Sequence, residues 1–264
     1  MRILNIILLH FQQVFHHRLR SFVWFCIPLM NNLTLILFWA GSLKDSPAGG
    51  VWTLTTAATY YVLLTIAGSL LTSHIEEDVA VYDIQYGDLT RYLTKPFPYF
   101  WIKFIEEIPY RILQGFYGLV ILLFFAVFFR GFISLTGSPV ILVLTGITII
   151  LAYFLSFTMK MNWGLSAFWF KDSRGFFELL TIVVIVFSGG IVPLYLLPSF
   201  VRTISYFLPF SYMAYFPIIG LQGQLQAWEL VRIILIQSLW LGTFIFLNRF
   251  MWNRGIKQFT AFGQ

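Results

Sequence analysis

The side chains that could do chemistry are few and bunched. His74-Ile75-Glu76-Glu77-Asp78 puts an imidazole and three carboxylates into five consecutive positions, residue types that ligate divalent metals or share acid–base work. Consecutive positions on a helix point in different directions, so the run reads more simply as solvated charge. His10, His16 and His17 have no carboxylate or thiolate beside them, and no metal site is expected. Cys26 is the single cysteine, which excludes an intrachain disulfide, a CxxC pair and a thiolate metal cage. Phe25 and Ile27 around it suggest an inert buried thiol. The chain has no GxxxxGK[ST], GxSxG or HExxH, so it lacks a phosphate-binding loop and the common hydrolase signatures. No cofactor is expected on it, and energy for uphill work would have to enter through another chain. An enzyme acting on lipid at the interface would have only His74, Glu76 and Glu77 to work with.

The elements that must position these groups are membrane spans. Of 264 residues 59% are hydrophobic and 11% charged, against about 45–50% and 25% in a soluble domain. Six apolar stretches, residues 22–41, 52–73, 108–129, 140–159, 177–197 and 229–250, each approach the roughly 20 residues that cross a bilayer as a helix. The predicted fold is thus an all-α integral membrane protein of one domain. The charge of +6 belongs to short loops at membrane boundaries rather than to a nucleic-acid surface. Residues 1–21 read as an amphipathic helix in the interface, with Ile3, Leu4, Ile7, Leu8, Phe11, Val14, Phe15 and Leu19 on one side.

Sorting the basic residues by loop gives the orientation. Thirteen, including Arg2, Arg18, Arg20, Arg91, Lys95, Lys171, Arg254 and Lys257, fall on one side; Lys44, Arg130, Arg202 and Arg232 fall on the other. The richer side is cytoplasmic, which predicts both termini there. No acid falls in the middle of any span, so the ionisable midplane site usual in an ion-coupled carrier is not evident. Asn31 and Asn32 follow Pro28 and suggest interhelical hydrogen bonding or a place in a translocation path. Gly115, Gly118, Gly164 and Ser166 offer surfaces for close helix packing.

Two connections carry more information. Seven of the eleven acids lie between His74 and Glu107. Within that segment Gly87 would end one helix, Asp88 would cap the next, and Lys95-Pro96 would stop it after about two turns. Leu89, Tyr92 and Leu93, spaced i, i+3 and i+4, would form one apolar patch suited to docking a cytoplasmic partner. Between the fifth and sixth spans the stretch is too apolar for a solvated loop and too broken by Pro193, Pro198, Pro209 and Pro217 for a plain span. Short helices re-entering the outer leaflet are expected there, near an external gate.

In this order the pieces resemble the membrane-spanning permease subunits of type 2 ABC transporters, in particular a bacterial daunorubicin-resistance-like branch. The pieces are the interfacial first helix, Asp83-Ile84-Gln85-Tyr86-Gly87-Asp88-Leu89, Leu93-Thr94-Lys95-Pro96 and Phe168-Trp169-Phe170-Lys171-Asp172. Ser188-Gly189-Gly190-Ile191-Val192-Pro193-Leu194, Leu208-Pro209-Phe210 and Trp252-Asn253-Arg254-Gly255-Ile256-Lys257 complete them. The resemblance implies a six-span half-transporter of exporter type in the bacterial inner membrane. It would pair with a second permease, identical or homologous, and with two copies of an ATP-binding cassette subunit that binds ATP and Mg. Asp88, Leu89, Arg91, Tyr92 and Leu93, with Lys171 and Asp172, would meet that ATPase through a coupling helix. Asn31, Asn32, Thr55, Thr59 and Ser188 would line the path. The alternative from a different class is an ATP-independent carrier or channel, or the lipid-modifying enzyme above.

The basic asymmetry makes a direct prediction. With Cys26 replaced, single cysteines near 48 and 136 should label from outside intact cells and those near 88 and 172 should not; external labelling at 88 would invert the topology.

Overall fold

In the computed structural model the described residues are 12, 18–43, 52–128, 138–170 and 174–259. Most of the expected interfacial helix at 1–21, and Lys171 and Asp172, lie outside them. Among the described residues the regular structure is entirely helical: α1 (Arg18–Ser42), α2 (Leu54–Leu70), a π-helix (Asp78–Gln85), α3 (Leu89–Leu93), α4 (Tyr99–Phe128), α5 (Pro139–Leu165), α6 (Arg174–Phe187), α7 (Ser199–Phe207), α8 (Tyr215–Leu221) and α9 (Ala227–Gly255), with single 3-10 turns between some of them.

Among the described residues four helices, in α1, α4, α5 and α9, are long and apolar enough to cross a membrane, or five if α7 and the bent stretch after it count as one span. The second and fifth expected spans correspond to shorter apolar helices, α2 with 17 residues and α6 with 14. The third span begins earlier than its apolar stretch: α4 starts at Tyr99 rather than 108 and carries Pro109 within it. The helix can continue through Lys103, Glu106, Glu107 and Arg111 because those charges find partners inside the protein.

Close approaches are made at small residues. A Cβ on Gly115 would lie 2.9 Å from Leu70, and one on Gly118 3.2 Å from Ile66, so α2 rests on the glycine face of α4. The longest contact joins α5 to α9. There Gln237 Nε2 donates to the Thr148 and Tyr212 carbonyls, Asn248 Nδ2 to Asn162 Oδ1, and Asn162 Nδ2 to the Phe244 carbonyl. Each buried amide thus bonds across an apolar interface, where an unpartnered one would be costly.

The core has two parts. One joins α2, the middle of α5 and residues 212–219, with Trp52, Tyr60, Tyr61, Leu155, Leu194, Tyr215 and Ile218 among its buried members. The other joins the π-helix and α3 to the first turns of α4, the last turns of α5 and the tail of α9, through Val79, Leu89, Tyr92, Tyr99, Phe157, Met161 and Leu165, with Trp252 packed against them. The π-helix reaches α5 because position 164 is glycine: a Cβ there would stand 2.6 Å from Val79 Cβ and 3.0 Å from the Glu76 carbonyl oxygen.

Gly164→Ala should therefore cost about 1–3 kcal/mol, as overpacking does in a core that cannot yield, whereas Gly146→Ala, with open space around it, should be neutral. Thermal unfolding of the detergent-solubilised chain checks this. Equal melting temperatures for the two variants would show that the approach of Val79 is dispensable.

Candidate functional site

The candidate site is the connection from Leu71 to Pro98 with the helix ends that hold it. Gly87, at φ +86°, takes the left-handed conformation that glycine adopts without steric cost and turns the chain out of the π-helix into α3. Asp88 stands at the start of α3, but its backbone is helical and its side chain makes no capping bond. It meets Arg91 Nη2 at 3.2 Å instead. The helix is five residues long, so the expected cap and second turn are both corrected: the carboxylate is taken by a cation one turn on.

The apolar face is corrected as well. Leu89 is fully buried and Tyr92 is 7% exposed; both point into the protein. Only Leu93 of the three is exposed, together with Thr90, Arg91, Thr94 and Lys95. The i, i+3 pair did mark one face of a helix, but that face is anchored to the chain itself.

What anchors it is a set of buried charges and rings. Asp83 of the π-helix accepts from Lys103 Nζ and from the Tyr99 hydroxyl of α4, each at 2.5 Å. Burial pushes the Asp83 carboxyl up and the Lys103 ammonium beside it pulls it back. Lys103 also donates to the Tyr92 hydroxyl at 3.3 Å, and that hydroxyl donates to Glu106 at 3.2 Å. Tyr99 stacks on Trp252 of α9 at 4.9 Å between centroids. Just before the π-helix, Glu76 takes Lys160 Nζ of α5 at 2.5 Å, and the same ammonium lies 4.4 Å over the Trp163 ring.

A neighbouring cluster centres on Glu107 of α4. It accepts from Ser73 Oγ at 2.9 Å, from Arg111 Nη2 at 2.6 Å and from the Tyr153 hydroxyl of α5 at 3.2 Å, while Arg111 Nη1 donates to the Ser69 carbonyl. Of the acids in the run from His74 to Asp78, expected to be solvated, Glu76 alone departs from that expectation. Glu77 and Asp78 are exposed, whereas Asp83 is buried and Glu76 and Glu107 are partly so. The available signal was helical spacing: Lys103 with Glu106, and Glu107 with Arg111, are i, i+3 and i, i+4 pairs entering an apolar helix. Among the described residues no three His, Cys, Asp or Glu side chains are placed to hold a metal ion.

The residues expected along a path are scattered. Asn32 donates to Thr65 Oγ1 at 2.8 Å and is buried between α1 and α2. Thr59 is fully buried and donates to the Thr55 carbonyl. Ser188 is buried beside Gly189, whose carbonyl accepts from the Tyr60 hydroxyl at 2.8 Å. Asn31 is exposed and Thr55 half-buried. Of the four prolines, Pro193, Pro209 and Pro217 are buried and Pro198 is exposed. Pro217 lies within α8, and α7 meets the Pro209–Leu221 stretch at a bend of 73°. That stretch is packed against α2, α5 and α9, and residues 211–220 are buried throughout.

These placements separate anchoring residues from surface residues. Leu89→Ala should cost the isolated chain about 2–5 kcal/mol, as a buried leucine truncation does, while Leu93→Ala should stay within about 0.5 kcal/mol. Melting temperatures in detergent read the difference, and a reversed order would turn α3 over.

Comparison with known proteins agrees with this architecture. The sequence pattern of a family described as ABC-2 family transporter protein matches residues 29–263. No curated protein and no solved structure matches the chain. With the match running from the first helix to the tail, across the anchored connection and the apolar helices alike, the chain belongs to the ABC-2 family of transporter proteins, as a multi-pass permease subunit that associates with an ATP-binding cassette subunit.

Proposed function

We propose that this chain is the membrane subunit of an ATP-driven exporter in a bacterial inner membrane. It forms the translocation path with a second permease chain, identical or homologous, and is energised by two copies of a separate cassette subunit that bind ATP and Mg. The single observation that supports this best is α3. A five-residue helix whose inner face is fixed by Leu89 and Tyr92 holds Arg91, Leu93 and Lys95 outward on a stiff base. A movable surface loop would absorb a push from a partner, whereas a buried, ion-paired mount passes it on.

In this reading the connection at 71–98 is cytoplasmic and α3 is the coupling helix. The chain contains no phosphate-binding loop, so hydrolysis belongs to the cassette subunit. Lys171 and Asp172 remain proposed as a second contact with it. For the path, Asn31 and Thr55 are the side chains with free surface to offer; Asn32, Thr59 and Ser188 would act from behind by holding the helices that bear them. The outer stretch with Pro193, Pro198, Pro209 and Pro217 is proposed as the external gate. Its burial supports a part that moves with α5 and α9 rather than a loose cover.

The test targets the outward face. Arg91→Glu combined with Leu93→Asp should leave the chain inserted and its melting temperature unchanged. It should lower co-purification of the cassette ATPase by about tenfold or more, equivalent to roughly 1.4 kcal/mol of binding energy. The purified chain alone should hydrolyse no ATP. Undiminished co-purification with the double variant would remove α3 as the docking element.

A further inference from the structure

The buried ion pairs have a distribution that the docking role alone does not require. Two of them, beside the Arg111–Glu107 pair, involve the segment from Glu76 to Asp83, and each of these ends on a different long helix. Glu76 takes Lys160 of α5, and Asp83 takes Lys103 of α4. Those two helices are consecutive in the chain, yet their backbones do not pack along their length. They meet through rings near the ion pairs, Phe104 on Phe154 at 5.0 Å and Phe100 on Phe157 at 5.2 Å, and through the Tyr153 bond to Glu107. Next to that contact lies a cleft of about 240 Å³ lined by Ile108, Arg111 and Ile112 of α4, Ile149, Ile150 and Tyr153 of α5, and Leu70 and Leu71 at the end of α2.

We propose that the Glu76–Asp83 segment is a strap that fixes the separation of α4 and α5, with Asp83, Lys103, Glu76 and Lys160 as positioning residues. Three features make it suited to this. Its two ends carry opposite anchors to two helices, and both ion pairs are shielded from water, so neither is loosened by screening. Its middle is pressed on α5 at Gly164, through Val79. And from Asp78 onward it is wound as a π-helix that runs on to Gln85, a rare winding that persists only where surroundings hold it and that recurs at functional sites. Pairing at Glu76, just before the winding, and at Asp83 within it supplies that hold, and the wide turns between them set the angle at which each carboxylate reaches its own lysine. Because α3 continues directly from the strap through Gly87, a displacement of α3 shifts the anchors of α4 and α5 together and alters the width of the cleft.

The last step rests on the proposed docking of an ATPase to α3; the strap itself does not, and the experiment keeps the two apart. In the Cys26→Ser background, nitroxide pairs are placed on exposed positions Leu119 of α4 and Val143 of α5, and as a reference on Val143 and Leu239 of α9. Distances are measured by pulsed electron spin resonance on the full chain in lipid nanodiscs. The unsubstituted strap should give one narrow distribution for each pair. Asp83→Asn and Lys103→Met should lose the narrow α4–α5 peak while the α5–α9 peak stays sharp, and Lys103→Arg, which keeps the charge, should retain both. An unchanged α4–α5 peak in the first two variants overturns the strap. Broadening of both pairs together also overturns it, because the ion pair would then be supporting the whole bundle.

With the cassette ATPase bound and vanadate-trapped nucleotide added, the α4–α5 peak should shift in the unsubstituted protein and not in Asp83→Asn. If nothing binds, the docking reading fails and the first measurement still decides the strap. If the variant shifts like the original, the strap does not carry the motion.

Discussion

A charged side chain in an apolar medium must be paired, and the rest of this structure is arranged around that constraint. Removing one partner of a buried pair typically costs 3–5 kcal/mol because the other is left uncompensated. With only 11% of its residues charged, the protein nevertheless buries Asp83, Lys103, Arg111 and Lys160. It does so in one zone, where the connection 71–98 meets the ends of α4, α5 and α9. Hydrophobic burial alone would not set the register of that connection, since it has no direction. Ion pairs and hydrogen bonds have direction, and they fix which helix the π-helix faces and in which register.

The same logic operates without full charges at the opposite end. There the cluster is aromatic, with Trp39, Trp52, Tyr60, Tyr61, Tyr195 and Tyr215 meeting mostly edge to face. Two of its polar tips are bonded to backbone, Tyr60 to the Gly189 carbonyl and Tyr61 to the Ile191 carbonyl, with Trp39 Nε1 donating to the Tyr61 hydroxyl, while Trp52 Nε1 and the Tyr195 hydroxyl are buried without a partner. These carbonyls lie in the irregular stretch after α6, where helical partners run out. Tyrosine supplies both an apolar ring and a donor for such groups, which lets a proline-broken chain sit buried. Gly189, at φ +80° and with the Tyr60 hydroxyl 2.6 Å from where a Cβ would be, admits that contact.

The two ends are linked by α5, which touches the π-helix at one end and α8 and α9 along the rest. Amide and hydroxyl bonds at Thr148, Asn162, Gln237 and Asn248 hold it to α9. The α5–α9 contact is thus the most extensive among the described helices, while α4 packs instead on α2 and α1.

The sequence by itself determined the membrane class, the places of the long apolar helices to within a few residues at most ends, the glycine faces of α4 and the proline-broken character of the stretch after α6. Those follow from composition and periodicity, which are local properties that the bilayer reads directly. It also marked Gly87 and the short helix after it. Tertiary structure alone decided which side of that helix faces inward, because an i, i+3 pair of Leu89 and Tyr92 looks the same whether it waits for a partner or is already covered by Tyr99, Phe157 and Trp252. It likewise decided which acids are solvated. Glu76, Glu77 and Asp78 are neighbours of one type, and only the position of Lys160, 84 residues further on, makes the first of them an anchor. Periodicity describes each element's own face; a pairing between distant elements depends on how they are brought together, and no window of sequence contains it.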